Sequence, residues 1–371
     1  MYQAALDRAV EKTLKNLKIY VEQFPHVGEE KGGFALYGNT TWTNGFWTGV
    51  LWLLFEYSGD SRFAEVAEGL LPSFRERLDQ NVNIDHDIGF LYTLSAQAQW
   101  MIRKDESARE LAIEAARKLA DRWNEEGQYI QAWGDKGDTT HSGRIIIDCL
   151  LNLPILYWTA GETGDDRLLT IARKQAEKSR KFLVRGDDSS YHTFVFDPAN
   201  GQPVGGATHQ GLHHGSTWSR GQSWGVYGFP LSYRYTKNKA FLETGIRMAK
   251  YFIEQLPADL ISHWDFEAER NDDTPRDSSA TAIALCGILE ILEHLEKDSS
   301  DFVYFSKAAG EIMDALIRET STMDEPDLQG LIKHGAYHVS NNYVPDGFLI
   351  FGDYYYLEAL MRMTNKSKGY W

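Results

Sequence analysis

Trp47-Thr48-Gly49-Val50-Leu51-Trp52-Leu53-Leu54-Phe55-Glu56-Tyr57, then Ser58-Gly59-Asp60, then a charged segment from Arg62 to about Leu78, form one complete structural unit. The first segment is apolar nearly all round, the pattern of a buried helix. The second carries one charged face, the pattern of a helix that meets water. The Gly/Asp turn between them folds the pair into a hairpin.

The unit recurs along the chain. It returns as Gly89–Ile102 with Ser107–Glu125, Ile145–Thr159 with Asp166–Leu183, Gly221–Tyr235 with Lys239–Gln255, and Ser278–Leu295 with Phe302–Arg318. The first helix, about Ala4 to Glu22, has Ala5, Ala9, Leu14 and Leu17 near one face and lacks a preceding apolar partner. The last apolar helix, Asp353–Met363, lacks a following charged one. Joining the ends gives six apolar and six charged helices. The expected fold is therefore all-α, a six-hairpin (α/α)6 barrel with inner and outer rings, forming a single domain over residues 1–371. An open solenoid would keep a near-constant repeat length. Here long inserts precede residues 145, 221, 278 and 353. They enter the N-terminal ends of inner helices, so one barrel mouth gathers the Trp-, His- and Gly-rich loops. Helix N-termini give that mouth a partial positive charge that favours an anionic ligand.

Composition limits the function. The 38 Lys+Arg against 53 Asp+Glu give a net charge of −15, which argues against a nucleic-acid partner. Two cysteines, Cys149 and Cys286, cannot build a disulfide framework. The charged, amphipathic start Met1-Tyr2-Gln3-Ala4-Ala5-Leu6-Asp7-Arg8 shows no signal peptide, and the longest apolar stretch, Gly49 to Phe55, is far short of the ~20 residues that cross a bilayer. The expectation is a cytoplasmic protein without membrane contact, a monomer or a weak homo-oligomer. Eleven Trp, 19 Tyr and 18 Phe make 13% of the chain. Several sit among amides and hydroxyls, as in Asn39-Thr40-Thr41-Trp42-Thr43-Asn44-Gly45-Phe46-Trp47. Rings in polar company suit a sugar cleft, although any single Trp can simply fill the core.

Four places put acids at or just inside inner-helix starts: Asp85/Asp87, Asp148, Asp277 and Asp353. Asp277 and Asp353 stand where N-caps belong. Asp148 lies inside an apolar stretch, where burial would hold it protonated near neutral pH. Its alternative role is an ion pair with Arg144, four residues earlier on the same helical face. Asp87 would complete a pair of carboxylates in different environments, the pattern of acid/base work on sugars. The second concentration runs from Asp187 to Arg220 and includes His192, His209, Gln210, His213 and His214. No His-Glu-x-x-His helix, cysteine cluster, Walker loop, dinucleotide fingerprint or Gly-x-Ser-x-Gly elbow is present, so no metal and no cofactor is expected.

On these segments the chain resembles the unsaturated glucuronyl hydrolases of glycoside hydrolase family 88. The resemblance covers nearly the whole length. It is carried by residues 39–47, His86-Asp87-Ile88-Gly89-Phe90, Gln131-Ala132-Trp133-Gly134, Gly143 to Asn152, Val184 to His192, residues 216–222, Arg276-Asp277-Ser278-Ser279-Ala280 and residues 352–358. It implies the six-hairpin barrel and an unusual reaction. A lyase leaves a 4,5-unsaturated uronic acid at the non-reducing end of an oligosaccharide; the enzyme hydrates that double bond, and the unstable hemiketal rearranges and releases the remaining sugar. Carried over residue by residue, Asp148 is the acid/base and Asp87 the second essential carboxylate. Substrate contacts fall on Trp42, Trp133, His192, Gln210, Arg220 and Trp224, with Arg220 meeting the uronate through bidentate bonds. The implied partner is an unsaturated uronyl oligosaccharide. Relatives that prefer sulfated fragments share a Ser/Lys-rich loop, whereas Val339-Ser340-Asn341-Asn342-Tyr343-Val344-Pro345-Asp346-Gly347 has no Lys. Two other readings stay open: an unsaturated rhamnogalacturonyl hydrolase, and a non-catalytic sugar-binding barrel.

Overall fold

The computed structural model describes residues 1–29, 33–135, 138 and 141–371. The inner ring consists of α2 (Asn44–Ser58), a segment made of α4 (Ile88–Tyr92) and α5 (Ala98–Arg103), α7 (Pro154–Thr163), α9 (Ser219–Thr236), α11 (Ser278–Leu292) and α13 (Ile350–Met363). The outer ring is α1 (Tyr2–Tyr20), α3 (Ser61–Asp79), α6 (Glu106–Ala120), α8 (Asp166–Phe182), α10 (Lys239–Gln255) and α12 (Ser300–Ala315). Burial follows the sequence pattern. Every residue of α9 from Ser219 to Ser232 is buried, while α8 buries only Leu168, Ile171, Ala172, Gln175, Ala176 and Ser179. Inner helix α9 packs on α11, α11 on α13 and α13 on α2, and α1 packs on α13 to close the ring.

The hairpin turns away from the mouth are tight and capped. Asp60, Asp105, Asp165 and Asn238 each accept a backbone N–H from the first turn of the outer helix that follows. Gly59 and Gly164 end α2 and α7 with φ of 71° and 73°, a left-handed conformation that a Cβ disfavours.

Among the described residues, the inserts form three small sheets, which the helical reading of the sequence did not anticipate. Strands β1 (Phe24–Glu29), β2 (Gly33–Tyr37) and β8 (Phe348–Leu349) make one; β3 (Trp123–Asn124) and β4 (Tyr129–Ile130) make another. Antiparallel strands β5 (Arg144–Ile146), β6 (Thr193–Phe196) and β7 (Pro203–Ala207) make the third. Two inner segments also depart from regular helices. The expected helix Ile145–Thr159 begins instead as β5, continues as a 3-10 turn over Ile147–Leu151, and becomes α-helical only at Pro154. Proline supplies no N–H and a preset φ, so it starts a helix and does not continue one. The expected helix Gly89–Ile102 contains a π turn over Thr93–Gln97. Among the described residues, no helix is long and apolar enough to cross a membrane.

Candidate active site

The barrel mouth encloses a cavity of about 670 Å³ whose lining includes Trp42, Asp85, His86, Asp87, Trp133, Asp148, His192, Gln210, Trp218, Arg220 and Tyr337. Its walls are loops clamped by two arginines, buried Arg77 and half-buried Arg122. Arg77 donates to the carbonyls of Thr41, Val82 and Asn83 and to Asn39 Oδ1, locking the Trp42 loop against the loop that leads to Asp87. Arg122 donates to the carbonyls of Gln131, Ala132 and Gly134, and Gln131 Nε2 reaches the Trp133 carbonyl at 2.7 Å, so the Trp133 segment is fixed from beneath. Trp42 rests on Phe90 and Phe351 at ring separations of 5.5 and 5.1 Å, and its Nε1–H donates to Tyr337 Oη at 3.0 Å.

Asp148 sits in the first turn of the 3-10 segment. Strand pairing brings His192 beside it, because Ile147 N–H donates to the His192 carbonyl at 3.1 Å and Ile146 pairs with Thr193. The Arg144 ion pair is not formed: the helix it required is a strand there, and Arg144 lines a side groove with Trp133, His141 and His209. Asp148 instead faces His192 Nε2, 3.8 Å from its Oδ2. Burial, reinforced by the Asp87 charge, pushes the Asp148 carboxyl up to about 8. The Arg220 charge and the Trp224 indole N–H favour its charged form without overcoming that burial.

His192 is neutral and its tautomer is set. Burial first, then the neighbouring His209 and Arg220, lowers its basicity well below the ordinary value. Its Nδ1 accepts the backbone N–H groups of His209 at 3.0 Å and Gln210 at 3.3 Å, which leaves the proton on Nε2, facing the cavity acid. Trp218 packs behind the ring in a tilted arrangement, with centroids 4.5 Å apart.

Asp87 ends the loop that opens α4, and burial raises its carboxyl to about 7 while Asn152, Arg77 and Arg122 pull the other way. Asp85 accepts the Asp87 backbone N–H at 2.9 Å and is itself raised by burial, to about 6. Among the described residues, the cavity thus holds three half-buried acids, Asp85, Asp87 and Asp148, raised to graded degrees.

Two expected substrate contacts take other positions. Trp224 is 0% exposed and packs on Phe90 and Tyr355 beneath the cavity, so it supports Asp148 from below. Arg220 lines the cavity, but its four terminal N–H bonds are taken. One nitrogen donates to Asp277 and to the Ala336 carbonyl, and the other to the Tyr337 carbonyl at 2.7 Å and to Gln210 Oε1 at 3.3 Å. The long bond to Gln210 is the one a ligand oxygen can replace. Asp277 is the N-cap of α11, as expected, and carries the Arg220 ion pair on its other oxygen. Asp353 is not a cap. It lies one turn inside α13 and accepts the N–H groups of Leu331 and Ile332, because the helix starts three residues earlier, at Ile350.

Sequence reasoning missed Arg77, Trp218, Tyr337 and Asn152. The first and last lie in unremarkable helical or turn sequence, and only their long-range bonds reveal them. Among the described residues, no group of three or more His, Cys, Asp or Glu side chains converges as a metal site.

The family model for Glycosyl Hydrolase Family 88 matches residues 16–370. The chain belongs to that family. It is 50% identical over 372 residues to an unsaturated glucuronyl hydrolase of Bacillus sp. (strain GL1), covering 100% of this chain and 99% of the relative. It is 41% identical to an unsaturated chondroitin disaccharide hydrolase of Streptococcus pyogenes serotype M1, over 99% of this chain and 92% of that one. The crystal structure of the Bacillus sp. GL1 unsaturated glucuronyl hydrolase superposes with a TM-score of 0.98, covering 100% of this chain and 99% of that one. The family 88 chain described here is accordingly an enzyme with the α/α-barrel fold.

Proposed function

We propose that this family 88 enzyme hydrates the C4=C5 double bond of a 4,5-unsaturated glucuronic acid at the non-reducing end of an oligosaccharide. A proton adds to C4 and the elements of hydroxide from water add to C5. The resulting hemiketal opens and releases the remaining sugar. The observation that carries this reading is the placement of Asp148: its carboxyl lines the cavity together with Asp87 and faces His192 Nε2 at 3.8 Å, where burial pushes it up to about 8 and Asp87 up to about 7.

Asp148 delivers the proton to C4. Once ionised, it is a carboxylate beside the Nε2–H of neutral His192, and it can accept a proton from the water that attacks C5. Asp87 in its charged form raises the proton affinity of Asp148 and so keeps the acid loaded at neutral pH. Trp42 and Trp133 offer ring faces to the sugar, and His192 Nε2–H and Gln210 offer hydrogen bonds. Arg220 contributes its charge, and one N–H when Gln210 yields it, so uronate recognition needs no free bidentate fork. The loop Val339–Gly347 brings no Lys or Arg to the mouth, which fits an unsulfated aglycone. The protein acts as a cytoplasmic enzyme, as a monomer or weak homo-oligomer.

The test is incubation with unsaturated disaccharides derived from chondroitin, gellan and rhamnogalacturonan, following loss of the ultraviolet absorbance of the conjugated enoate. Turnover of the glucuronyl substrates is expected. Turnover of the rhamnogalacturonan product alone would redirect the substrate assignment, and no turnover of any would overturn the reaction.

A further inference from the structure

An aspartate at a helix N-cap ordinarily accepts the amide of the second or third helical residue. Asp60, Asp105, Asp165 and Asp277 all do so here. Asp87 holds the same place at the start of α4, yet among the described residues its side chain makes no cap bond. The amide it would ordinarily satisfy, Phe90 N–H, donates instead to Asn152 Oδ1 at 2.8 Å, from a segment 62 residues away.

We propose that Asn152 is a positioning residue that caps helix α4 from outside and thereby releases the Asp87 carboxylate to the cavity. Asn152 is 0% exposed and uses both ends of its amide. Its Oδ1 takes the orphan amide. Its Nδ2 donates to Asp87 Oδ1 at 3.3 Å and to the Asp148 carbonyl at 3.4 Å, so one side chain ties together the two segments that carry the acids. The backbones must approach closely for this: a Cβ on residue 89 would lie 2.3 Å from the Asn152 Cα, so Gly89 is required. The asparagine ends the 3-10 turn just before Pro154, the break that keeps this inner segment from being a continuous helix.

Without Asn152, Asp87 would turn to cap Phe90, as the other N-cap aspartates do for their own helices. The groups that face Asp87 are His86, with Nε2 3.6 Å from its Oδ1, together with Asp85, Arg77, Arg122, Asp148, Cys149, Tyr337 and Asn152 itself.

Two variants separate the cap from the donor. Asn152→Ala removes both; Asp87 loses the long 3.3 Å bond from Asn152 Nδ2 and gains the Phe90 amide in cap geometry, the stronger bond of the two, which favours its charged form. The expected result is kcat at least about tenfold lower, KM within about threefold, and an acid limb displaced to lower pH. Asn152→Asp keeps an acceptor for Phe90 but replaces the donor by a carboxyl, so the acid limb moves to higher pH. The Asp87 titration is read twice: from the acid limb of kcat, and from side-chain carboxyl carbon NMR on the free protein, which needs no turnover. If Asn152→Ala does not fold, the shift in Asn152→Asp decides. Opposite shifts support the proposal. An unchanged Asp87 titration, or shifts of the same sign, would overturn it whatever happens to the melting temperature. The catalytic part rests on Asp87 being the second essential carboxylate. An inactive wild-type protein would count against that reading alone, because the NMR titration still decides the role of Asn152.

Discussion

Replacing Asp148 with Asn should make the protein slower and more stable at once. The amide keeps the shape, but it neither delivers nor takes a proton at neutral pH. Turnover should fall by the ~10²–10⁴-fold typical of losing a general acid–base. Stability should rise because burial forces the native protein to hold a proton that the unfolded chain releases. At pH 7 that is 1.36 kcal/mol for each of the roughly three pH units above the ordinary value of 3.8, about 4 kcal/mol. The side chain leaves 18% of its surface open to the cavity, and water there reduces the effect to about 2 kcal/mol.

The sign and window follow from linkage. The folded value is raised, so the native carboxyl is harmless below pH 3.8 and increasingly destabilising as the pH rises to about 8. With an unfolding entropy of about 0.8 kcal/mol per kelvin for a chain of this length, the gain in Tm should grow from about 1 °C at pH 5 to about 4 °C at pH 9. Calorimetry at three pH values and single-turnover loss of the enoate absorbance, on the same preparation, measure both effects. A stable variant with a near-normal rate would remove Asp148 from the chemistry. A Tm difference that does not grow with pH would refute the claim that burial holds its proton.

The wild-type pH–rate profile should be a narrow bell, its acid limb near 7 from Asp87 and its alkaline limb near 8 from Asp148, read as apparent values of the coupled pair. Arg220→Ala should act on the fold as well as on binding. It leaves Asp277, 0% exposed, without its guanidinium partner, a loss of about 3–5 kcal/mol that calorimetry will show beside any rise in KM. Glu290→Gln, at the far end of the barrel, should lower Tm while kcat stays normal. Its carboxyl is held low, so the difference from wild type is present above pH 4.5 and fades as the pH falls below it. A 6-sulfated chondroitin disaccharide should turn over more slowly than the unsulfated one, and equal or faster turnover would mean that a group outside Val339–Gly347 meets the sulfate. Chelator should leave activity unchanged; loss with chelator and recovery with a divalent ion would show a metal requirement.

The barrel was legible in the sequence because burial acts on whole helix faces: α9 had to be inside and α8 half out, whatever their neighbours. Asp87, Asp148, Trp42, Trp133, His192, Gln210 and Arg220 do line one cavity, since the inserts enter the same ends of the inner segments. What failed was local geometry set by long-range partners. Pro154 was visible in the sequence and marks the true start of α7, yet the apolar run before it reads as helix. Only pairing with Thr193 shows that it begins as a strand. The hydrogen bonds of Arg220 are equally unreadable, because three of their four acceptors lie 57 to 117 residues away.

The two ends of the barrel use the same residue types to opposite effect. At the far end Glu290 is fully buried, yet its carboxyl lies well below the usual range. Burial opposes its charge, but a hydrogen bond from His294 and the charges of Arg234 and Arg362 outweigh it. Those arginines aim their N–H groups at the carboxylate, with Arg234 Nε at 2.8 Å and an Arg362 terminal nitrogen at 2.7 Å. At the mouth, Arg77 and Arg220 act on Asp87 and Asp148 through their charge alone, because they spend their N–H groups on backbone carbonyls, on side-chain amide oxygens and on Asp277. A cation committed in this way lends its field but forms no ion pair with Asp87 or Asp148. Burial then wins, and the proton stays on the acid. Arginine orientation, more than arginine number, therefore separates a structural carboxylate from one that can give up a proton during turnover.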